Sequence, residues 1–246
     1  MKTNPSLPPD SIPHSAASPA LAHALEKNAA GRSAQAGRIP LWLKVAYTAF
    51  LAVLIPVYLT QYGPTNFLYF CDVALLLMAW GLWRESSLAV SLAAVGILLP
   101  QVLWCVDFAV ELSGGHFTRM TSYMLDSSRS LFLRGLSLFH GWLPFLVVYA
   151  VKKLGYDRRA LPWWTGIAVV LCLIAFFFLP PAGAVLENPA IPRNVNYVFG
   201  LDDAAPQTRF PAGVYLVGWI AALIGIVYVP THLLLRKIMP DAGVEK

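Results

Sequence analysis

Six apolar segments restrict what this chain can fold into more than any other feature of its sequence. Each is close to the roughly 20 residues that a helix needs to cross the hydrocarbon core of a bilayer. Only helices and closed barrels satisfy all their backbone hydrogen bonds in that environment, so each segment predicts one membrane-spanning helix. The predicted spans are residues 41–60, 66–83, 88–112, 130–154, 161–179 and 212–235.

The composition agrees with this interpretation. Charged residues make up 13% of the chain, about half of the roughly 25% typical of soluble domains, and hydrophobic residues make up 57%. The sequence therefore predicts an all-α fold, a polytopic six-helix transmembrane bundle over residues 39–237. Residues 1–38 are rich in proline and lack an apolar run, which predicts a disordered tail. Residues 238–246 are predicted to form a second, short tail.

The distribution of Lys and Arg predicts the orientation of the bundle. An even number of spans places both tails on one face, and 13 of the 18 basic residues fall on that face. Because cytoplasmic loops carry the excess of Lys and Arg, both tails are predicted to be cytoplasmic. The net charge of +5 follows from this asymmetry, so the expected partner is membrane lipid and not nucleic acid.

Polar side chains inside the predicted spans indicate where a functional site lies. A carboxylate in hydrocarbon costs roughly 2.5 to 3.5 kcal/mol unless it is paired, hydrated or protonated. In the second span, Asn66, Tyr69 and Asp72 are spaced by three residues and lie on one arc of the helix. In the third span, Trp104 and Glu111 share an arc with Gln101 and Asp107. The fourth span adds a basic residue. The predicted binding residues, all in the outer half, are Asn66, Tyr69, Asp72, Gln101, Asp107 and Arg134.

A purely structural interpretation of these groups stays open. Asp72, Asp107 and Arg134 are equally well explained as an interhelical ion pair that fixes the register of the bundle. His140, on an otherwise apolar face, is typical of a residue that hydrogen-bonds between helices. The three cysteines all lie in apolar runs, where a thiol behaves as a small hydrophobic group, and no disulfide is predicted.

Two short segments resemble a family of bacterial membrane proteins. The segment from Phe67 to Leu75 contains Tyr69-Phe70-Cys71-Asp72 and is similar to the Leu-Pro-Leu-His-Leu-Cys-Asp-Ile signature on the second helix of YwaF-like proteins. Tyr69 stands where that signature has its histidine. The segment Val195-Asn196-Tyr197-Val198-Phe199, before the last span, is similar to their Asn-Tyr-Met-Tyr segment. Bacterial membrane-associated proteins also share the blocks at residues 64–70 and 138–144.

The resemblance implies a lipid-directed enzyme. The wider superfamily includes a transmembrane acyltransferase with a cysteine at the second-helix position, and androgen-induced-gene hydrolases of fatty acid esters. It nominates Cys71 as the nucleophile and His140 as its base, in a protein of the bacterial cytoplasmic membrane. The alternative function is non-enzymatic: a small-solute carrier or a structural bundle. The sequence contains no phosphate-binding glycine loop and no metal-ligand spacing, so no cofactor and no metal are predicted.

Overall fold

The computed structural model of the chain describes residues 39–118 and 120–242. In these two ranges the chain forms six helices and no strand, which confirms the all-α prediction. The predicted tail at residues 1–38, most of the second tail (243–246) and Arg119 lie outside the described residues. The helices are α1 (Leu41–Tyr62), α2 (Phe70–Arg84), α3 (Ser87–Leu112), α4 (Leu131–Leu154), α5 (Ala160–Phe178) and α6 (Ala212–Ile238).

Five of these helices are long and apolar enough to cross a membrane. The exception is α2, whose 15 residues extend about 22 Å at 1.5 Å per residue. Large apolar side chains point outward around the bundle, among them Val102, Phe145, Phe177 and Val217. This pattern is typical of a surface that contacts lipid. The chain is therefore a membrane protein with six helices.

Helix α3 is the centre of the bundle. In its most apolar window 61% of the residues are buried, against 17% to 33% in the other four candidate spans. Helices α2, α4, α5 and α6 all pack against it. Two glycines permit the closest approaches: a Cβ on Gly81 of α2 would lie 2.7 Å from Val90 Cγ1, and one on Gly96 would overlap the ring of Trp164.

Replacing Gly96 with alanine should destabilise the bundle. The new methyl group would occupy the position of the buried Trp164 ring, and overpacking of this kind costs roughly 1 to 3 kcal/mol. The expected result is a melting temperature in detergent that is lower by several degrees. The matched control is Gly166→Ala in α5, where a Cβ would meet nothing within 4 Å. An equal effect of the two changes would contradict the packing at Gly96.

One end of the bundle, the terminal face, brings together residues 39–44, 84–91, 154–160 and 238–242. Lys44 Nζ lies 2.8 Å from Glu85 Oε1, and the backbone N–H of Tyr156 donates to Pro240 O at 2.6 Å. Asp157 N–H donates to Ser91 Oγ at 3.0 Å. Arg159, which donates to the Asp157 carboxylate, lowers the pKa of that group. These contacts join the ends of the six helices that meet at this face. An even number of spans predicts the same face for these helix ends.

The opposite end, the loop face, is formed by a first loop (residues 113–118 and 120–130) and a second loop (residues 179–211). Here the structure differs from the predicted second span, because helix α2 begins at Phe70 and not at Asn66. Asn66 lies in a 3₁₀ turn, Pro64–Leu68, and Tyr69 is extended with φ −64° and ψ 143°. The reason is tertiary. The side chain of Asn196, in the second loop, accepts a hydrogen bond from the backbone N–H of Phe70 at 3.0 Å. It also donates one to the carbonyl of Leu68 at 2.9 Å.

Candidate functional site

Helix α3 presents one polar, buried face toward the loop face. Gln101, Trp104, Asp107 and Glu111 are all buried, which confirms that they share an arc. Several residues between them, including Val102 and Val106, are exposed on the outside of the bundle. A helix with a polar interior face and an apolar exterior face can place these groups in the core of a membrane bundle.

Asp72 lies in the first turn of α2 and is 4% exposed. Its Oδ2 accepts a hydrogen bond from Asn66 Nδ2 at 3.4 Å and one from Cys71 Sγ at 3.5 Å. Its Oδ1 is buried and has no hydrogen-bond partner among the described residues. The tyrosines at positions 58 and 69 lie within electrostatic range of the carboxylate. Asp72 is thus surrounded by neutral polar groups.

Gln101 faces the same region from α3. It is 2% exposed, and its Oε1 has no partner in the described part of the chain. The contact between Gly81 and Val90 fixes the register of α2 against α3. At 1.5 Å per residue, Asp72 lies about 14 Å from that contact along α2, and Gln101 lies about 17 Å from it along α3. Both distances run toward the loop face. The two side chains are therefore at nearly the same depth.

Asp107 anchors the first loop. Its Oδ1 accepts from Thr118 N–H at 2.6 Å, and its Oδ2 accepts from Thr121 N–H at 2.9 Å and from Thr121 Oγ1 at 2.6 Å. Three donors satisfy this fully buried carboxylate. One turn further along α3, Glu111 Oε1 accepts from Ser122 Oγ at 3.2 Å. These two carboxylates hold Thr118, Thr121 and Ser122 against the end of α3.

The predicted ion pair of Arg134 with Asp72 or Asp107 is wrong. Neither carboxylate lies within 4.0 Å of a basic side chain in the described ranges. Arg134 Nη1 instead donates to the carbonyl of Met124 at 3.1 Å, and its charge acts on Asp126. The loop explains the difference, because its backbone supplies both the donors for Asp107 and an acceptor for Arg134. Asp72 is left without a positive partner among the described residues.

His140 has a structural environment. Helix α4 is interrupted after Ser137, and the carbonyl of Ser137 accepts from His140 Nδ1 at 2.8 Å. The imidazole ring stacks on Trp104, with ring centroids 5.1 Å apart. Pro144 has no N–H to bond the carbonyl four residues earlier, and that carbonyl, of His140, accepts from Cys105 Sγ at 3.9 Å. The His140 side chain is therefore hydrogen-bonded, but to its own helix and not between helices as predicted. Within the described residues, only its backbone carbonyl bonds another helix, α3.

No hydrogen bond joins Cys71 and His140 in the described chain. The thiol of Cys71 donates to Asp72, and the Nδ1 of His140 is used by the backbone of its own helix. All three cysteines are free, as expected. A thiol nucleophile needs a base within hydrogen-bond reach. The group that accepts a hydrogen bond from Cys71 is the carboxylate of Asp72 and not His140.

Asn196 is the residue of this region whose structural role sequence reasoning missed. Besides its two side-chain bonds to the start of α2, its carbonyl accepts from Trp219 Nε1 of α6 at 2.8 Å. Its backbone has φ 59°, a left-handed conformation that asparagine tolerates better than most residues. The feature of the sequence that could have indicated this role is the Asn-Tyr pair, Asn196-Tyr197, in the loop before the last span. Asn196 connects the second loop, α2 and α6 at a single point.

A cleft of about 850 Å³ opens on the loop face. Its lining comes from the end of α1, the first loop, the start of α4 and the second loop, and it includes Gln61, Tyr62, Asp126 and Arg129. The carboxylate of Asp72 is not part of this lining. The ring of Tyr62 contacts the ring of Tyr58 at 5.2 Å between centroids, and Tyr58 is one of the tyrosines near Asp72. Tyr62 and Tyr58 thus link the lining of the cleft to the surroundings of the carboxylate.

The chemistry that this arrangement permits is limited. Within the described residues no three His, Cys, Asp or Glu side chains lie close enough to hold a metal ion together. The notable group is the buried carboxylate of Asp72, which among the described residues has one oxygen without a hydrogen-bond donor and no basic partner. Comparison of the chain with family models, with curated proteins and with solved structures finds no match.

Proposed function

We propose that this chain is a non-enzymatic membrane protein that binds a small cationic solute in the loop-face half of the bundle, as a carrier does. The supporting observation is Asp72, a buried carboxylate without a basic partner in the described chain. Its position in the first turn of α2 lets the helix dipole stabilise the charge by about 0.3 to 1 kcal/mol. That is less than the roughly 2.5 to 3.5 kcal/mol that a carboxylate costs in hydrocarbon. A bound cation would offset the remainder.

The cleft on the loop face supports a route for such a solute. It is lined by polar groups of both charges, and its inner wall includes Tyr62, which contacts Tyr58. Rotation of these two rings would connect the cleft to Asp72. Aromatic faces also attract cations, by roughly 0.5 to 2 kcal/mol. Membrane lipid is the partner that we propose for the exposed apolar faces of the bundle.

A lipid acyl-ester hydrolase or acyltransferase is the second candidate. Cys71 would be the nucleophile and His140 the base. The observation that favours this candidate is the hydrogen bond from Cys71 Sγ to Asp72 Oδ2, because a carboxylate can accept the thiol proton. It ranks second because no hydrogen bond connects His140 to Cys71 among the described residues, and because an adjacent negative charge disfavours a thiolate.

Two measurements on the purified protein separate the candidates. The first is the melting temperature in the presence of inorganic and organic cations, compared with neutral solutes. We expect stabilisation by at least one cation and by no neutral solute, and its loss in Asp72→Asn but not in Glu187→Gln, which removes an exposed charge from the second loop. The second is labelling by a lipid-like acyl probe, with Cys105→Ala as the control for Cys71→Ala. Labelling that requires both Cys71 and His140, without any cation effect, would favour the enzyme.

We also propose the cytoplasmic membrane of a bacterium as the location, with both termini in the cytoplasm. The support is the excess of Lys and Arg on the terminal face. Alkaline-phosphatase fusions after residues 120 and 200 should be active, because those positions lie in the two loops of the loop face. A fusion after residue 155 should be inactive. The reverse pattern of activities would overturn this orientation.

A further inference from the structure

Three buried oxygens without hydrogen-bond donors lie in the loop-face half of the bundle. They are Oγ1 of Thr65, Oδ1 of Asp72 and Oε1 of Gln101, and none has a partner among the described residues. A carbonyl or carboxylate oxygen that is buried without a donor costs free energy, so native structures seldom leave one unpaired. Resting on the proposed function, we infer that these oxygens belong to a binding site for one monovalent hard cation, Na⁺.

The positions of the three residues are compatible with a single site. Gln101 and Asp72 lie at nearly the same depth on two helices that pack directly against each other. Thr65 precedes Asn66 in the 3₁₀ turn, and the amide of Asn66 reaches Asp72 at 3.4 Å. The oxygens therefore come from α2, from α3 and from the turn that leads into α2.

The charge of the site selects the charge of the ion. Asp72 brings one negative charge, while Gln101 and Thr65 are neutral, so one monovalent cation balances the site. A divalent ion would leave an excess positive charge in hydrocarbon, and calcium sites commonly recruit further carboxylates. The other buried carboxylate nearby, Asp107, already accepts three hydrogen bonds from the first loop. The oxygen donors favour a hard ion over the softer transition metals.

The connection between α1 and α2 places non-helical backbone next to Asp72. Between Pro64 and Tyr69 the chain is not α-helical, although it continues directly into α2. Irregular backbone at membrane depth is tolerated where it is buried in protein or lines a cavity, and interrupted helices coordinate Na⁺ in transporters. Asn66 Nδ2 and Cys71 Sγ both donate to Oδ2 of Asp72, which leaves Oδ1 as the oxygen available to the ion.

The test measures the melting temperature of the full-length protein in detergent at constant ionic strength and pH. NaCl is titrated against KCl and against N-methylglucamine chloride. At about 100 times the dissociation constant, a ligand specific for the native state raises the melting temperature by about 5 to 10 °C in a chain of this size. We expect this rise with Na⁺ only. It should disappear in Asp72→Asn, and the Na⁺ concentration at half-maximal effect should increase at least tenfold in Gln101→Met.

The control is Glu187→Gln, which should respond to Na⁺ as the unaltered protein does. Equal melting temperatures in all three salts would overturn the Na⁺ site, and they would mean that Asp72 is neutralised by a proton or by another cation. If an organic cation then stabilises the protein through Asp72, the proposed function survives without the Na⁺ site. A Na⁺ effect that persists in both Asp72→Asn and Gln101→Met would also overturn the inference. If Asp72→Asn fails to fold, Gln101→Met decides alone.

Discussion

Asp107→Asn is expected to lower the melting temperature of the bundle by about 10 °C. The carboxylate accepts three hydrogen bonds from Thr118 and Thr121, and it is fully buried. Asparagine keeps one acceptor oxygen and turns an NH₂ group toward the other donors. Each buried donor left unpaired costs roughly 1 to 3 kcal/mol, so the total loss is about 2 to 5 kcal/mol. At roughly 2 to 4 °C per kcal/mol, this gives the expected shift.

A double change distinguishes this loop anchor from the ion pair predicted from the sequence. Because Arg134 bonds the carbonyl of Met124 and not Asp107, the effects of Asp107→Asn and Arg134→Gln should add to within about 0.5 kcal/mol. If the double variant were clearly more stable than this sum, the two side chains would be coupled and the assignment to the loop would be incorrect. Asp126→Asn, at an exposed position of the same loop, is the control and should change little.

Asn196→Ala is the second change with a large expected effect. It removes the acceptor for Phe70 N–H and the donor for Leu68 O, and alanine adopts a φ of 59° less readily than asparagine. Together these losses amount to about 2 to 5 kcal/mol. The melting temperature of the Asn196→Ala variant should fall because of this loss of stability. Proteolysis of residues 181–211 should become faster, because the loop loses its attachment to α2.

Asn196→Gly separates the two causes. Glycine adopts positive φ without strain, so this variant loses the hydrogen bonds alone. It should be at least as stable as Asn196→Ala yet still clearly less stable than the unaltered protein. The control is Asn188→Ala, at an exposed position of the same loop. A melting temperature of Asn196→Gly equal to that of the unaltered protein would show that the side chain does not hold the loop to α2.

The six helices were predictable because their signal is local. An apolar segment of about 20 residues has to form a helix in hydrocarbon whatever its neighbours are, since no other partner satisfies its backbone. The buried arc of α3 was predictable for a similar reason. Polar residues at helical spacing avoid lipid, so Gln101, Trp104 and Asp107 must face the protein interior.

The partners of those polar groups were not predictable from their spacing. The sequence places Asp72, Asp107 and Arg134 at similar depth, and opposite charges at similar depth suggest a pair. The pair fails because the described residues of the first loop fold back over the ends of α3 and α4. Thr118 and Thr121 donate to Asp107, while Met124 accepts from Arg134. A loop backbone carries donors and acceptors at every residue, and its path has no periodic signal.

By itself, the sequence determined an all-α membrane bundle, the order and approximate bounds of its helices, and the burial of the polar face of α3. Only the tertiary structure decided that α2 starts at Phe70, that His140 bonds its own helix, and that one oxygen of Asp72 has no hydrogen-bond partner in the described part of the chain. The physical reason is the range of the interactions. Hydrophobic burial and helical hydrogen bonds are set by residues within a few turns of each other. The contact of Asn196 with α2, by contrast, joins residues 126 and 128 positions apart in the chain.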